Sequence, residues 1–163
     1  MAGLALFALS APVAAQSPPP ATPPVATDVS SADIDAFIDA LPRDAISDRP
    51  IRVVPVTGDY RVAVFGVFRP QSLPGDAILH RTNTTEIYYM REGAGTLVTG
   101  GTITNANPDG TRGSGIEGGV SRRIVPGDVV IIPGHTPHWW SELESDIEYL
   151  IFRPDPDNRI ELR

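Results

Sequence analysis

The spacing of apolar positions changes character once along the chain. Between Ser31 and Pro42, the apolar residues Ile34, Phe37, Ile38 and Leu41 recur at helical spacing, with Asp33 and Asp35 near the positive end and Pro42 as a stop. This pattern predicts one short helix, with Ser31 as its N-cap. From residue 51 the rhythm is that of strands. Ile51 to Val56 and Tyr60 to Phe68 are rich in β-branched and aromatic residues, and Thr57-Gly58-Asp59 between them predicts a hairpin. Further strands are predicted at Ala77 to Thr82, Glu86 to Arg91, Gly95 to Val98, Thr102 to Asn105, Val120 to Ile124, Val129 to Pro133 and Ile147 to Phe152. Turn formers stand between them, at Pro74-Gly75-Asp76, Glu92 to Gly95, Gly100-Gly101 and Pro126-Gly127-Asp128. Many short strands with no helical segment after residue 42 predict an all-β sandwich or barrel of antiparallel strands. The Gly-rich, polar stretch from Asn107 to Gly119 is predicted to be a surface loop overhanging one mouth of it.

The first forty residues divide differently. Residues 2 to 13 form a short apolar run ahead of Val13-Ala14-Ala15, which reads as the hydrophobic part of a secretory signal cleaved after Ala15. The run is too short for a permanent membrane anchor and predicts a periplasmic or secreted protein. Five prolines in residues 16 to 27 predict an extended, disordered tether. The expected organisation is a signal at 1–15, a Pro-rich tether at 16–30, the helix and a connector at 31–50, and the β-domain at 51–163.

Composition narrows the chemistry. With 163 residues and 41% hydrophobic content, the chain can build one core. Its net charge is -7, every basic residue is an arginine, and no basic run exceeds Arg122-Arg123, so a nucleic-acid partner is not expected. Without cysteine there are no thiol nucleophiles, disulfides or Cys-rich metal sites; without lysine there is no Schiff base. Imidazole, carboxylate, hydroxyl, guanidinium or a metal must carry any reaction.

Histidine is scarce, and two of the three, His135 and His138, lie within four residues beside Trp139 and Trp140. Alternate residues of a strand share a face. His138 and Trp140 are therefore predicted to point one way and Trp139 the other; Glu86 shares its face with Tyr88 and Met90, not with Tyr89. His80 and Thr82 share a face if their segment is a strand. His135 falls in a turn between Pro133 and Pro137, where a left-handed backbone is expected, and is assigned to the mouth or to support of the site. Asp128 is read as a turn residue, and Arg122 and Arg123 as surface charges.

The stretch from residue 75 to residue 142 resembles the two motifs of the cupin superfamily, G-x5-H-x-H-x3-4-E-x6-G and G-x5-P-x-G-x2-H-x3-N. In the first, Gly75 stands one residue closer than usual to His80, Thr82 occupies the second histidine position, Glu86 follows, and Gly93 closes. In the second, Gly127, Pro133 and His138 fall in register, with His135 at the glycine position and Glu142 at the asparagine position. The resemblance implies a cupin jelly-roll barrel and a homodimer. It also implies one divalent transition metal, whether iron, manganese, nickel or zinc, held by His80, Glu86 and His138. A hydroxyl is a poor neutral ligand, so Thr82 is assigned to hydrogen-bond a bound water, and Thr82, Tyr88 and Trp140 are assigned to the substrate pocket. Two functions stay open: a metal-dependent enzyme acting on a small organic molecule, with dioxygenation ahead of isomerase or lyase chemistry, and a non-catalytic small-molecule or sugar-binding module that has lost a ligand.

Overall fold

The computed structural model describes residues 25–56 and 59–162. The predicted signal, most of the predicted tether, and Thr57 and Gly58 of the first turn lie outside these residues. In chain order the elements are α1 (Ser31–Asp39), β1 (Ser47–Val56), β2 (Tyr60–Arg69), β3 (Ala77–Ile78), β4 (Glu86–Glu92), β5 (Gly95–Thr99), β6 (Thr102–Thr104), β7 (Arg112–Gly113), β8 (Gly115–Glu117), β9 (Val120–Ile124), β10 (Val129–Ile132), β11 (His138–Leu143) and β12 (Ile147–Asp155).

Two five-stranded antiparallel sheets face each other, ordered β1-β2-β12-β4-β10 and β7-β3-β11-β5-β9, and β6 pairs with β8 as a separate ribbon. Almost every neighbour in a sheet is distant in sequence, as in a jelly roll. The inner faces supply the core, with Val67, Met90, Leu97, Tyr149 and Ile151 all at 1% exposure or less. β12 lies centrally, between β2 and β4. Its inward residues Ile147, Tyr149 and Ile151 follow the period of two that a half-buried strand requires.

The helix forms where its apolar stripe predicts, but Ser30 caps it instead of Ser31: the Ser30 hydroxyl accepts from the Asp33 backbone N–H at 3.1 Å and donates to the Asp33 carboxylate at 2.7 Å. That reciprocal pair satisfies an otherwise orphaned helix donor. Ile38 is fully buried, and the helix rests on β2 over Gly66, where a Cβ would come within 3.1 Å of it.

Three other boundaries differ from expectation. β1 begins at Ser47, four residues before the strand start expected at Ile51. The Ala77 to Thr82 strand shrinks to Ala77–Ile78, leaving His80 and Thr82 outside regular structure. The expected 107–119 loop contains β7, which pairs with β3, and β8, which pairs with β6, so its middle and second half are tied into sheets and it does not hang free. Asp128 is the turn residue expected of it, its carboxylate accepting from the Val125 N–H at 2.9 Å. Among the described residues no helix is long and apolar enough to cross a membrane.

Candidate functional site

Glu86 opens β4 and points inward with Tyr88 and Met90, while Tyr89 faces out at 41% exposure. His138 opens β11 on the opposite sheet and is buried with Trp140; Trp139 faces the other way and donates from its indole to the Gly75 carbonyl at 3.1 Å. The alternation read from the sequence holds at both strands.

His80 reaches the site by another route. Its carbonyl accepts from the His135 backbone N–H at 3.1 Å, which ties its segment to the turn before β11. The next residue back, Gly134, permits that approach, since a Cβ there would lie 2.3 Å from the Thr82 carbonyl oxygen. His135 itself has φ 61°, the left-handed backbone expected, and it supports His80 through its main chain.

The three candidate ligands converge. One ligand atom from each of His80, Glu86 and His138 lies within 4.8 Å of the others. His80 Nε2 is 3.5 Å from Glu86 Oε1, and His138 Nε2 is 3.5 Å from Oε2. Two ligands bound at about 2.1 Å with tetrahedral geometry stand roughly 3.4 Å apart, so these separations suit a first-row divalent metal. The tautomer suits it too. His138 Nδ1 lies 3.0 Å from the Thr136 carbonyl; donating there leaves the Nε2 lone pair facing Glu86. Burial holds the His138 imidazole below its ordinary pKa, partly countered by Glu86, so the ring is neutral and able to donate that pair.

Glu86 is only 4% exposed, and both of its oxygens are partnered. Oε1 accepts from Arg153 Nε at 2.8 Å and Oε2 from the Tyr88 hydroxyl at 2.9 Å. Burial alone would raise this carboxyl; the Arg153 guanidinium, helped by the Tyr88 hydroxyl, opposes burial, and the carboxyl lies below its ordinary value. The Tyr88 phenol is pushed well up by burial and then by Glu86, so it stays a neutral donor. Arg153 also grips Asp48 at 2.7 Å, and its cation stacks over the Phe65 ring with 4.1 Å to the centroid.

A cavity of about 440 Å³ opens beside these groups, with Tyr88, Tyr149, Arg69, Arg112 and Arg153 in its wall. A smaller one of about 130 Å³ adjoins His80, Glu86 and Arg153 from another side. Thr82 lines only the smaller space, away from Tyr88 and His138. Trp140 lines neither: it faces inward as its position predicts, but it packs in the core, 5.8 Å from the Tyr149 ring. Tyr149 occupies the cavity wall in its place.

Arg153, Arg69, Asp48 and Tyr149 were not singled out from the sequence. Two of them carry a legible signal. Ile147, Tyr149, Ile151 and Arg153 are in phase on β12, and Ala63, Phe65, Val67 and Arg69 are in phase on β2, so each strand ends an apolar inner face with a guanidinium.

Among solved structures, an RmlC-like cupin family protein with a double-stranded beta-helix fold from Methanocaldococcus jannaschii matches 71% of this chain and 88% of its own, at 16% identity and a TM-score of 0.45. The TT1209 protein from Thermus thermophilus matches 80% of this chain and 100% of its own, at 12% identity and a TM-score of 0.52. The chain has a jelly-roll fold of two antiparallel sheets, the architecture that the motif resemblance implies. KdgF from Halomonas sp. is similar across 71% of this chain and 83% of its own, at 20% identity and a TM-score of 0.46. No protein-family model and no curated protein matches the chain. Between the two sheets, His80, Glu86 and His138 form a group able to hold a metal.

Proposed function

We propose that this cupin is a divalent-metal-dependent enzyme acting on a small organic molecule, with His80, Glu86 and His138 as the metal ligands and dioxygenase-type chemistry ahead of isomerisation or lyase chemistry. The observation that carries this reading is the approach of two imidazole Nε2 atoms to 3.5 Å from the two oxygens of one buried carboxylate, beside a cavity. Two histidines and one carboxylate match the facial triad of non-haem iron sites. A metal held there supplies Lewis-acid polarisation of a substrate oxygen and, if it is iron, one-electron chemistry with dioxygen.

The chain's own residues have definite tasks in this reading. Thr136 orients His138, Arg153 fixes Glu86 and keeps it ionised, and Tyr88 presents a neutral hydroxyl to the cavity while holding the second carboxylate oxygen. Tyr149 and Tyr88, with ring centroids 4.8 Å apart, give the cavity an aromatic wall. Export to the periplasm or beyond is part of the proposal and rests on the apolar run before Ala15.

A second reading is favoured by one feature: Glu86 already has a partner at each oxygen, so the network is complete without a metal. On that reading the same cavity binds a small molecule or sugar non-catalytically. Elemental analysis of protein purified without chelator, repeated after exposure to iron, manganese, nickel or zinc, separates the two. Stoichiometric metal that is lost in His138→Ala supports the enzyme; wild-type protein that takes up none of the four metals overturns it.

A further inference from the structure

The larger cavity is lined by three carboxylates, Asp48, Asp76 and Glu86, and three guanidiniums, Arg69, Arg112 and Arg153. Their pairing is uneven. Arg153 takes both Asp48 and Glu86, and Arg112 faces Asp76 at 3.8 Å, whereas among the described residues no carboxylate oxygen lies within 4.0 Å of Arg69. Asp48, already gripped by Arg153, acts on Arg69 only from beyond that distance; a guanidinium stays charged at any physiological pH, and a desolvated charge without a counter-ion in contact is costly.

Arg69 is nevertheless held firmly. Its Nε donates to the Tyr149 hydroxyl at 3.0 Å and its Nη1 to the Pro74 carbonyl at 2.8 Å. Gly75, at φ +86°, leaves the space it occupies, since a Cβ there would stand 2.8 Å from Nη1. Both fixed partners are neutral acceptors, and one N–H of Nη1 and both of Nη2 remain for a ligand. Charge points the same way. Matched carboxylates and guanidiniums make the wall neutral, and a divalent metal at His80, Glu86 and His138 would leave it with excess positive charge.

We propose that Arg69 binds the carboxylate of a small organic acid in the cavity it shares with His80, Glu86 and His138. Its planar fork suits a carboxylate, and a positioned guanidinium loses little freedom on binding. Arg112, at 59% side-chain exposure, draws such an anion towards the opening. This assignment deepens the metal-dependent reading by naming the substrate class, but binding at Arg69 does not itself require the metal.

The test is calorimetric titration of the full chain, with and without added manganese, using benzoate, succinate and pyruvate beside benzamide, succinamide and pyruvamide. At least one acid is expected to bind about 10-fold or more tightly than its amide. Arg69→Gln should weaken that acid by a similar factor at unchanged metal stoichiometry, and Arg69→Lys should recover part of the loss. If the glutamine variant does not fold, Arg69→Lys carries the comparison, because it keeps the charge and removes the fork; affinity equal to wild type then counts against the proposal. Failure of every acid to outbind its amide, or a preference that persists in Arg69→Gln, overturns it. Metal uptake without any acid preference defeats this inference alone, while acid binding through Arg69 in a chain that takes up no metal defeats the metal reading alone.

Discussion

Arg153 donates to Glu86 through Nε at 2.8 Å, joining a half-buried cation on β12 to the buried carboxylate that opens β4. Without Arg153 the buried Glu86 would keep only the Tyr88 hydroxyl as a hydrogen-bond partner, and removing one partner of a buried ion pair costs about 3–5 kcal/mol. Arg153→Met is therefore expected to lower the stability of the metal-free protein by that order. A divalent metal would then take over as counter-ion to Glu86, so zinc or manganese should raise the melting temperature more in the variant than in the wild type. Thermal unfolding of both proteins with and without metal checks this, and an equal shift in the two would contradict it.

The two close histidines should behave oppositely. His138→Ala is expected to abolish stoichiometric metal binding. His135→Gly should leave metal stoichiometry unchanged and stability within about 1 kcal/mol of wild type, because glycine suits the left-handed backbone and keeps the N–H that His80 accepts. Metal analysis beside denaturant titration distinguishes them.

Trp140 is expected to matter for stability and not for ligands. Its indole is 3% exposed in the core, so Trp140→Ala should cost about 3–5 kcal/mol while the folded fraction keeps its metal stoichiometry. A wild-type unfolding midpoint combined with lost ligand binding would return Trp140 to the cavity wall.

Alkaline pH should unfold the protein through its buried phenols. Burial raises the Tyr149 pKa above its ordinary value of 10.0, only partly countered by Arg69. A group whose folded pKa is raised gives stability that is fully present below the unfolded pKa and is lost as pH rises through the folded one. Stability should hold up to about pH 10 and fall beyond it, with a shallower fall in Tyr149→Phe and the remainder due to Tyr88. Unfolding midpoints from about pH 8 to about pH 11 measure the difference.

What the sequence made legible followed from strand parity. Glu86, Tyr88 and Met90 inward with Tyr89 outward, and His138 and Trp140 inward with Trp139 outward, need only a period of two. Parity gives a face, however, and not depth along it, which is why Trp140 was assigned to the pocket and lies behind Tyr149. Asp48 was hidden for a different reason. The register of β1 against β2 shifts between Pro50 and Arg52, so Asp48 sits opposite the buried Val67, on the inner face that Val53 also occupies. No alternation counted from Val53 reaches an even-numbered residue without that bulge. His80 and Thr82 were placed by an assumed strand, whereas the His135 N–H and the bare Gly134 position their segment through contacts between residues more than fifty apart.

His138 belongs to one sheet of the sandwich, and Glu86 and Arg153 belong to the other. Whatever bridges His138 and Glu86 thus acts as a rivet between layers whose facing surfaces are mostly apolar. Slipping one sheet past the other would have to break directional bonds at that point first. The filled site would therefore govern how long the protein survives proteases as well as what it does to its substrate.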